Sequence, residues 1–157
     1  MVAVGKKLPA FSLPRSDGSA WKTSDLFSDQ GGGRLVLFFY PKAMTPGCTL
    51  EGQDFRDLHA AFKRAKTTVL GISKDSCERQ VKFRAKEKFP FELLSDEDGK
   101  VCRLFDVIRE KSLYGRKFMG IERSTFLFDA GGKLAREWRK VRVKGHAAEV
   151  LEAARSL

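Results

Sequence analysis

Leu35-Val-Leu-Phe-Phe39-Tyr40-Pro41-Lys42-Ala43-Met44-Thr45-Pro46-Gly47-Cys48-Thr49 joins an uninterrupted apolar run to the start of a helix. The run Leu35 to Phe39 suits a strand covered on both faces, as in a sheet flanked by helices. Pro41 ends it, because proline has no N–H to give to a strand ladder. Thr45 is a good N-cap, and Pro46 fits the first helical position, where its missing N–H would be unpaired anyway. That register places Cys48 in the first helical turn, beyond the carboxyl end of the strand, where open α/β sheets form their ligand crevices. Free N–H groups and the positive end of the helix dipole favour a thiolate over a thiol there.

Working outward, Phe55, Leu58, Phe62 and Ala65 keep a helical spacing after Cys48. Thr67 to Ile72 reads as a second buried strand. Ser73 to Ser76 supplies caps for a helix through about Glu87, with Val81 and Ala85 turned inward. Phe91 to Leu94 reads as a third strand, and the acidic Ser95-Asp-Glu-Asp98 caps a short helix over Val101 to Phe105. Near the N-terminus, Phe11-Ser-Leu-Pro, Ser16-Asp-Gly-Ser and Ala20-Trp-Lys22 read as a β-hairpin, and Gly31-Gly-Gly33 as a flexible break. Ser124 to Phe128, the turn Asp129-Ala-Gly-Gly132 and Leu134 to Val143 form another hairpin. His146 to Ala154 closes the chain as an amphipathic helix with Ala147, Val150, Leu151 and Ala154 on its apolar side. This order predicts a three-layer α/β fold with a central mixed sheet and a single domain over residues 1–157.

Composition narrows the function. With 157 residues, 42% hydrophobic and 32% charged, the chain can build a core without a disulfide or metal staple. Three cysteines with no Cys-x-x-Cys pair make no disulfide framework, and two histidines give poor support for a zinc site. No apolar run approaches the ~20 residues that span a bilayer, and no apolar stretch follows Lys6 and Lys7 as in a signal peptide. A reducing cytoplasm is the expected home. Thirty basic against twenty acidic residues give a net charge of +10, densest at Lys133, Arg136, Arg139, Lys140, Arg142 and Lys144. No zinc-finger, RNP-type or helix-turn-helix signature accompanies it, so it reads as a solvated basic face rather than a nucleic-acid site.

Ionisation alone does not make a catalyst. Full conversion of an ordinary thiol of pKa about 8.5 to thiolate at pH 7.4 gains roughly 13-fold, or ~1.5 kcal/mol, against the ~8 kcal/mol or more that enzymes supply. The remainder must come from donors aimed at charge developing in the transition state, for which the Thr45 hydroxyl, the Cys48 amide and a guanidinium are available.

Pro41-x-x-x-Thr45-x-x-Cys48 at the first turn of a helix resembles the peroxiredoxins. The fuller string Phe39 to Thr49 is similar to the bacterioferritin-comigratory-protein, or peroxiredoxin Q, branch. The likeness extends to Phe11-Ser-Leu-Pro-Arg-Ser-Asp-Gly18, to Val69-Leu-Gly-Ile-Ser73 with Asp75, to Leu94-Ser-Asp-Glu-Asp98 and to Gly120-Ile-Glu-Arg-Ser-Thr-Phe-Leu-Phe-Asp129. It implies a thioredoxin-like fold and a thiol-dependent peroxidase acting on hydrogen peroxide and organic hydroperoxides. In that scheme Cys48 is the peroxidatic cysteine and becomes a sulfenic acid, Thr45 hydrogen-bonds the peroxide, Pro41 shields the site, and Arg123 holds thiolate and peroxide together. By its residue type alone Arg123 is more often an exposed strand arginine; its place before Ser124-Thr-Phe-Leu is what matches the family motif. The resemblance further implies a monomer, no metal, haem or flavin, and reduction by thioredoxin or a similar dithiol protein.

The family pattern is broken in one respect. The two positions where this branch carries a resolving cysteine hold Gln53 and Arg84. Cys77, two turns before Arg84 on the same expected helix, is the substitute candidate, with a non-redox helix cysteine as its alternative. Cys102, among apolar neighbours, is expected in the core. If neither resolves, a one-cysteine cycle with an external thiol remains. Glu51 reads as a residue complementing the helix dipole, with an active-site network as the alternative. His59 and His146 read as surface or capping residues, and Trp21 and Trp138 as packing residues. The rival function is a thioredoxin-fold peroxide sensor or holdase with little turnover; a DNA-shielding basic protein is a second rival.

Overall fold

The computed structural model describes residues 2–29 and 33–157. A hairpin of β1 (Ser12–Pro14) and β2 (Ala20–Lys22) opens the chain and runs into α1 (Thr23–Asp29). Then come β3 (Arg34–Phe39), α2 (Pro46–Asp57), α3 (His59–Arg64), β4 (Thr67–Ser73), α4 (Cys77–Glu87), β5 (Glu92–Ser95) and α5 (Lys100–Leu104). A second hairpin, β6 (Ile108–Leu113) with β7 (Arg116–Ile121), precedes β8 (Ser124–Phe128), β9 (Leu134–Trp138) and α6 (His146–Arg155).

The central sheet has the order β5-β4-β3-β8-β9. β3, β4 and β5 are parallel, whereas β8 and β9 are antiparallel additions, which gives the mixed sheet expected from the element order. Alternation along β3 divides two apolar layers. Leu35, Leu37 and Phe39 face a core shared with Leu13, Trp21, Leu26, Val101 and Phe105. Val36 and Phe38, followed by Tyr40, face a second core shared with α2, α3, α4 and α6 through Phe55, Phe62, Phe83 and Val150. Full burial of one such side chain is worth roughly 1.5–3 kcal/mol. β3, covered on both faces and paired on both edges, is therefore a stiff support for whatever follows it.

Several sequence expectations shift. The continuous helix expected after Cys48 is two helices broken at Leu58, whose backbone (φ −100°, ψ 3°) leaves the helical region for one residue. The apolar periodicity survives because the interruption is that short. On α4 the inward residues are Gln80 and Phe83, while Val81 and Ala85 are exposed. Gln80 can be buried because its amide group is fully engaged by the Tyr40 hydroxyl, Ser73 Oγ and the Leu94 carbonyl. β9 stops at Trp138 rather than Val143, and the chain then turns back so that the Val141 amide bonds the Arg123 carbonyl at 3.0 Å. Neither α1 nor the β6–β7 hairpin was expected. Gly31 and Gly32 of the expected break lie outside the described residues.

Candidate active site

The loop leaving β3 is braced before it becomes a helix. The Tyr40 amide donates to the Ile72 carbonyl, extending the β3–β4 pairing by one bond. The Ala43 amide donates to Asp75 Oδ2 at 2.7 Å, and Arg79 Nη2 donates to the Ala43 carbonyl at 3.1 Å. Asp75 and Arg79 are joined to each other by an ion pair of 2.9 Å. This double clamp fixes the residue just before Met44, whose φ of 64° is unusual for a side chain other than glycine. Such a conformation costs about 1–3 kcal/mol and persists where its surroundings over-determine it.

Thr45 is the N-cap by position, with extended backbone, and Pro46 is N1. Its side chain caps nothing: the hydroxyl donates to the Lys42 carbonyl at 2.7 Å. The first helical bond runs from the Thr49 amide to the Thr45 carbonyl, so the amides of Gly47 and Cys48 lie ahead of the ladder. Pro41 is half-buried at the base of the same loop. Cys48 is 1% exposed.

Arg123 comes from just before the strand paired with β3 on the edge away from β4. Because β8 runs antiparallel to β3 with Ser124 opposite Phe39, the residue before β8 lies beside the residues after β3. One guanidinium nitrogen, Nη2, approaches Cys48 Sγ at 3.5 Å, and the other, Nη1, donates to Glu51 Oε1 at 2.7 Å. A Cβ at Gly47 would stand 3.1 Å from Nη2, so a bare α-carbon there leaves the guanidinium its route to the sulfur. At an effective dielectric of about 20, unit charges 4 Å apart attract by about 4 kcal/mol, whereas a helix terminus contributes roughly 0.3–2. Arg123, more than the dipole, is the positive charge that faces the Cys48 sulfur.

Glu51 is the residue that the sequence reading undervalued. It is 1% exposed, one turn beyond Cys48 on α2, and forms a buried ion pair with Arg123. Burial pushes its carboxyl from 4.5 up to about 7, with Arg123 pulling the other way. Its second oxygen has no hydrogen-bond partner among the described residues. Burial also opposes the Arg123 charge, yet Glu51 and Cys48 together hold that guanidinium above its ordinary pKa. The available signal was a lone carboxylate on the face that carries Cys48, Gly52 and Phe55 inward. Lys111, on β6, was also missed. Its ammonium donates to the Ile121 carbonyl, and burial and then Arg123 lower its pKa while Cys48 raises it.

The other candidates fall elsewhere. Cys77 is the first residue of α4, half-buried, between the two residues that clamp Ala43. Cys102 is fully buried, and burial followed by the Asp96 carboxylate pushes its thiol far up. Gln53 bonds Glu87 on α4, and Arg84 bonds the Phe91 carbonyl and Glu92. His59 is half-buried against Phe91. His146 is not a surface residue: it is 4% exposed, bonded to Thr125 Oγ1 at 2.8 Å and lowered by burial to about 4. Among the described residues no helix is long and apolar enough to cross a membrane.

The AhpC/TSA family pattern matches residues 4–137. The chain belongs to the AhpC/TSA family. Peroxiredoxin Bcp of Bacillus subtilis is 45% identical over 156 residues, covering 99% of this chain and 97% of that protein. Peroxiredoxin Bcp of Xanthomonas campestris pv. campestris is 48% identical over 94% of this chain and 92% of its own. Among solved structures, the Xanthomonas campestris bacterioferritin comigratory protein, described for its alkyl peroxide reduction activity, superposes with a TM-score of 0.84 at 44% identity, covering 93% of this chain and 90% of that one. A cysteine-to-serine mutant of Xylella fastidiosa PrxQ superposes with a TM-score of 0.89 at 39% identity, over 99% and 97%. This AhpC/TSA member is a peroxiredoxin, a thiol-dependent peroxidase on a thioredoxin-like α/β fold.

Proposed function

We propose that Cys48 is the peroxidatic nucleophile and that Arg123, Thr45 and Pro41 form its site, reducing hydrogen peroxide and organic hydroperoxides. The observation that carries this reading is the Arg123 guanidinium, 3.5 Å from Cys48 Sγ and braced behind by Glu51. The thiolate attacks the terminal peroxide oxygen in line; the S–O bond forms as the O–O bond breaks. Negative charge passes to the leaving oxygen, which departs as water or an alcohol once protonated, leaving Cys48 as the sulfenic acid. Arg123 stands where that charge develops. A hydroxyl has one proton and two lone pairs, and Thr45 has committed its proton to Lys42. Its oxygen is thereby turned into an acceptor for the O–H of the incoming peroxide. Pro41 shields the loop from water.

For the second half of the cycle, Cys77 attacks the sulfenic sulfur, water leaves, and a Cys48–Cys77 disulfide forms. Its place at the start of α4, beside the clamped loop, supports this assignment. A disulfide requires Cα atoms within ~7 Å, so the first turn of α2 must unwind to deliver the buried Cys48. The occupation of the family's usual resolving positions by Gln53 and Arg84 favours a second reading, a one-cysteine cycle closed by an external thiol. The chain acts as one domain, as a monomer, in the cytoplasm, and thioredoxin or a similar dithiol protein regenerates it. Peptide mass spectrometry after one equivalent of hydrogen peroxide, with thiols blocked at quench, tests the cycle. A Cys48–Cys77 disulfide is the expected product. A Cys48 sulfenate with Cys77 still free establishes the one-cysteine cycle, and an unmodified Cys48 overturns the site.

A further inference from the structure

Among the described residues eight large hydrophobic side chains are conspicuously exposed, and four of them sit together on the β6–β7 hairpin: Leu113 (58%), Tyr114 (97%), Phe118 (46%) and Met119 (60%). Soluble proteins rarely leave such a group uncovered without a binding role. The cross-strand register sorts the hairpin into two faces. Leu113 is opposite Arg116, and Lys111 is opposite Phe118, so these four residues share one face; Met119 and Glu110 share the other. Tyr114 sits at the turn between the strands, with φ 51°, and is almost wholly exposed. Lys111, at the inner end of that face, is the residue whose charge is felt by Cys48 and Arg123. The Lys111 ammonium donates to the Ile121 carbonyl at the end of β7, two residues before the Arg123 that reaches Cys48, so the base of the hairpin adjoins the site while its tip is open to solvent.

Its composition is that of an interface centre: aromatic, aliphatic and arginine side chains, with acidic ones absent. Arg109 pairs with Asp106, and Lys117 pairs with Glu110 on the other face, so Lys111 and Arg116 give this face its positive charge. A second copy, also +10 overall, would bring like charge to like. An acidic protein would not.

We propose that the β6–β7 face formed by Leu113, Phe118 and Arg116, with Tyr114 at its tip, docks the acidic dithiol protein that regenerates Cys48. This rests on the dithiol-protein reading of the reductant given above. In the docked pair a partner thiolate attacks the Cys48 sulfur of the sulfenic acid, or of a Cys48 disulfide, and displaces hydroxide (leaving as water) or the resolving thiolate. The partner's second thiolate then attacks its own sulfur in the mixed disulfide. Cys48 leaves as thiolate, and the partner carries away the oxidising equivalents as its disulfide.

Steady-state peroxide reduction by wild type and by the double variant L113S/F118S, each driven in parallel by an acidic thioredoxin with its reductase and by dithiothreitol, tests the proposal. Both positions are exposed, and circular dichroism verifies the fold. The expected result is a KM for thioredoxin raised roughly 10-fold or more, with dithiothreitol-driven turnover unchanged. Arg116→Glu is expected to raise the same KM by about 3- to 10-fold at low salt, with the difference fading at high salt. An unchanged thioredoxin KM in L113S/F118S overturns the docking face alone. Wild type that turns over with dithiothreitol but not with thioredoxin overturns the reductant reading and the docking face with it. A concentration-dependent dimer that L113S/F118S dissolves assigns the face to self-association instead and equally overturns the proposal.

Discussion

Cys48 and Cys102 occupy the same helical position, the third residue of a helix, and are 1% and 0% exposed. Burial and helix register therefore do not distinguish them. What faces the sulfur does. At α5 the Asp96 carboxylate accepts from the Val101 amide at 3.1 Å and from the Cys102 amide at 2.7 Å, so an acid has taken the helix terminus and sits against the thiol. At α2 no carboxylate among the described residues takes that place: Thr45 turns its hydroxyl to Lys42, and the Arg123 guanidinium lies 3.5 Å from the sulfur. The same geometric slot holds a packing thiol beside an anion at Cys102 and, at Cys48, a thiol beside a cation, the setting that the proposed nucleophile requires. A cysteine at a helix start is thus uninformative until its charged neighbour is known.

The strongest way to break this contrast is to exchange the roles. Cys48→Ser is expected to lower dithiothreitol-driven peroxide reduction by at least ~10³-fold, since the reacting atom is gone. Substantial activity in that variant would move the reaction to another cysteine. Removing the cation comes next. Arg123→Ala is expected to cost about 10²–10³-fold in kcat/KM, the usual range for a lost transition-state donor. Arg123→Lys should recover only part of it, because one ammonium cannot serve Cys48 and Glu51 in the same fork geometry.

Glu51 sharpens the comparison through pH. Below pH 4.5 its carboxyl is protonated in both folded and unfolded chains. Between 4.5 and about 7 the unfolded chain ionises while the folded one retains its proton, so stability declines as pH rises and the loss is complete above about 7. At about 1.4 kcal/mol per unit the decline amounts to at most about 3–4 kcal/mol. Denaturant titrations from pH 4 to 8 should show that slope in wild type and a flatter one in Glu51→Gln; equal slopes would reject the buried-acid account. The smallest effect belongs to Cys102→Ala. Activity should stay within about twofold, with a stability loss of about 1 kcal/mol read from urea unfolding. A larger fall in rate would show that this thiol takes part in the cycle.

Much of this was legible in the chain, for local reasons. The apolar run of β3, the Thr45-Pro46 helix start and the apolar face of α6 depend on spacing, capping and φ restriction, which nearby residues set. The places where the reading slipped involve partners far apart in sequence. Val81 and Ala85 looked like the inward face of α4, but Gln80 holds that position because Tyr40, Ser73 and Leu94 converge on it. The β6–β7 hairpin carries charged and apolar residues without clean alternation, since neither face is covered in the way a core strand is.

The site divides along the same line. Sequence by itself determined that a cysteine stands at the N-terminal turn of a helix following a buried strand, because proline, threonine and an apolar run leave the backbone little choice there. Only the tertiary structure decided that this cysteine faces a guanidinium, since Arg123 lies 75 residues away and reaches Cys48 through the antiparallel register of β8 on β3. Only tertiary burial, likewise, turned Glu51 from a helix-surface acid into the brace behind that guanidinium. Electrostatic environment is set by distance in space, and a linear sequence fixes that distance only within a few turns of itself.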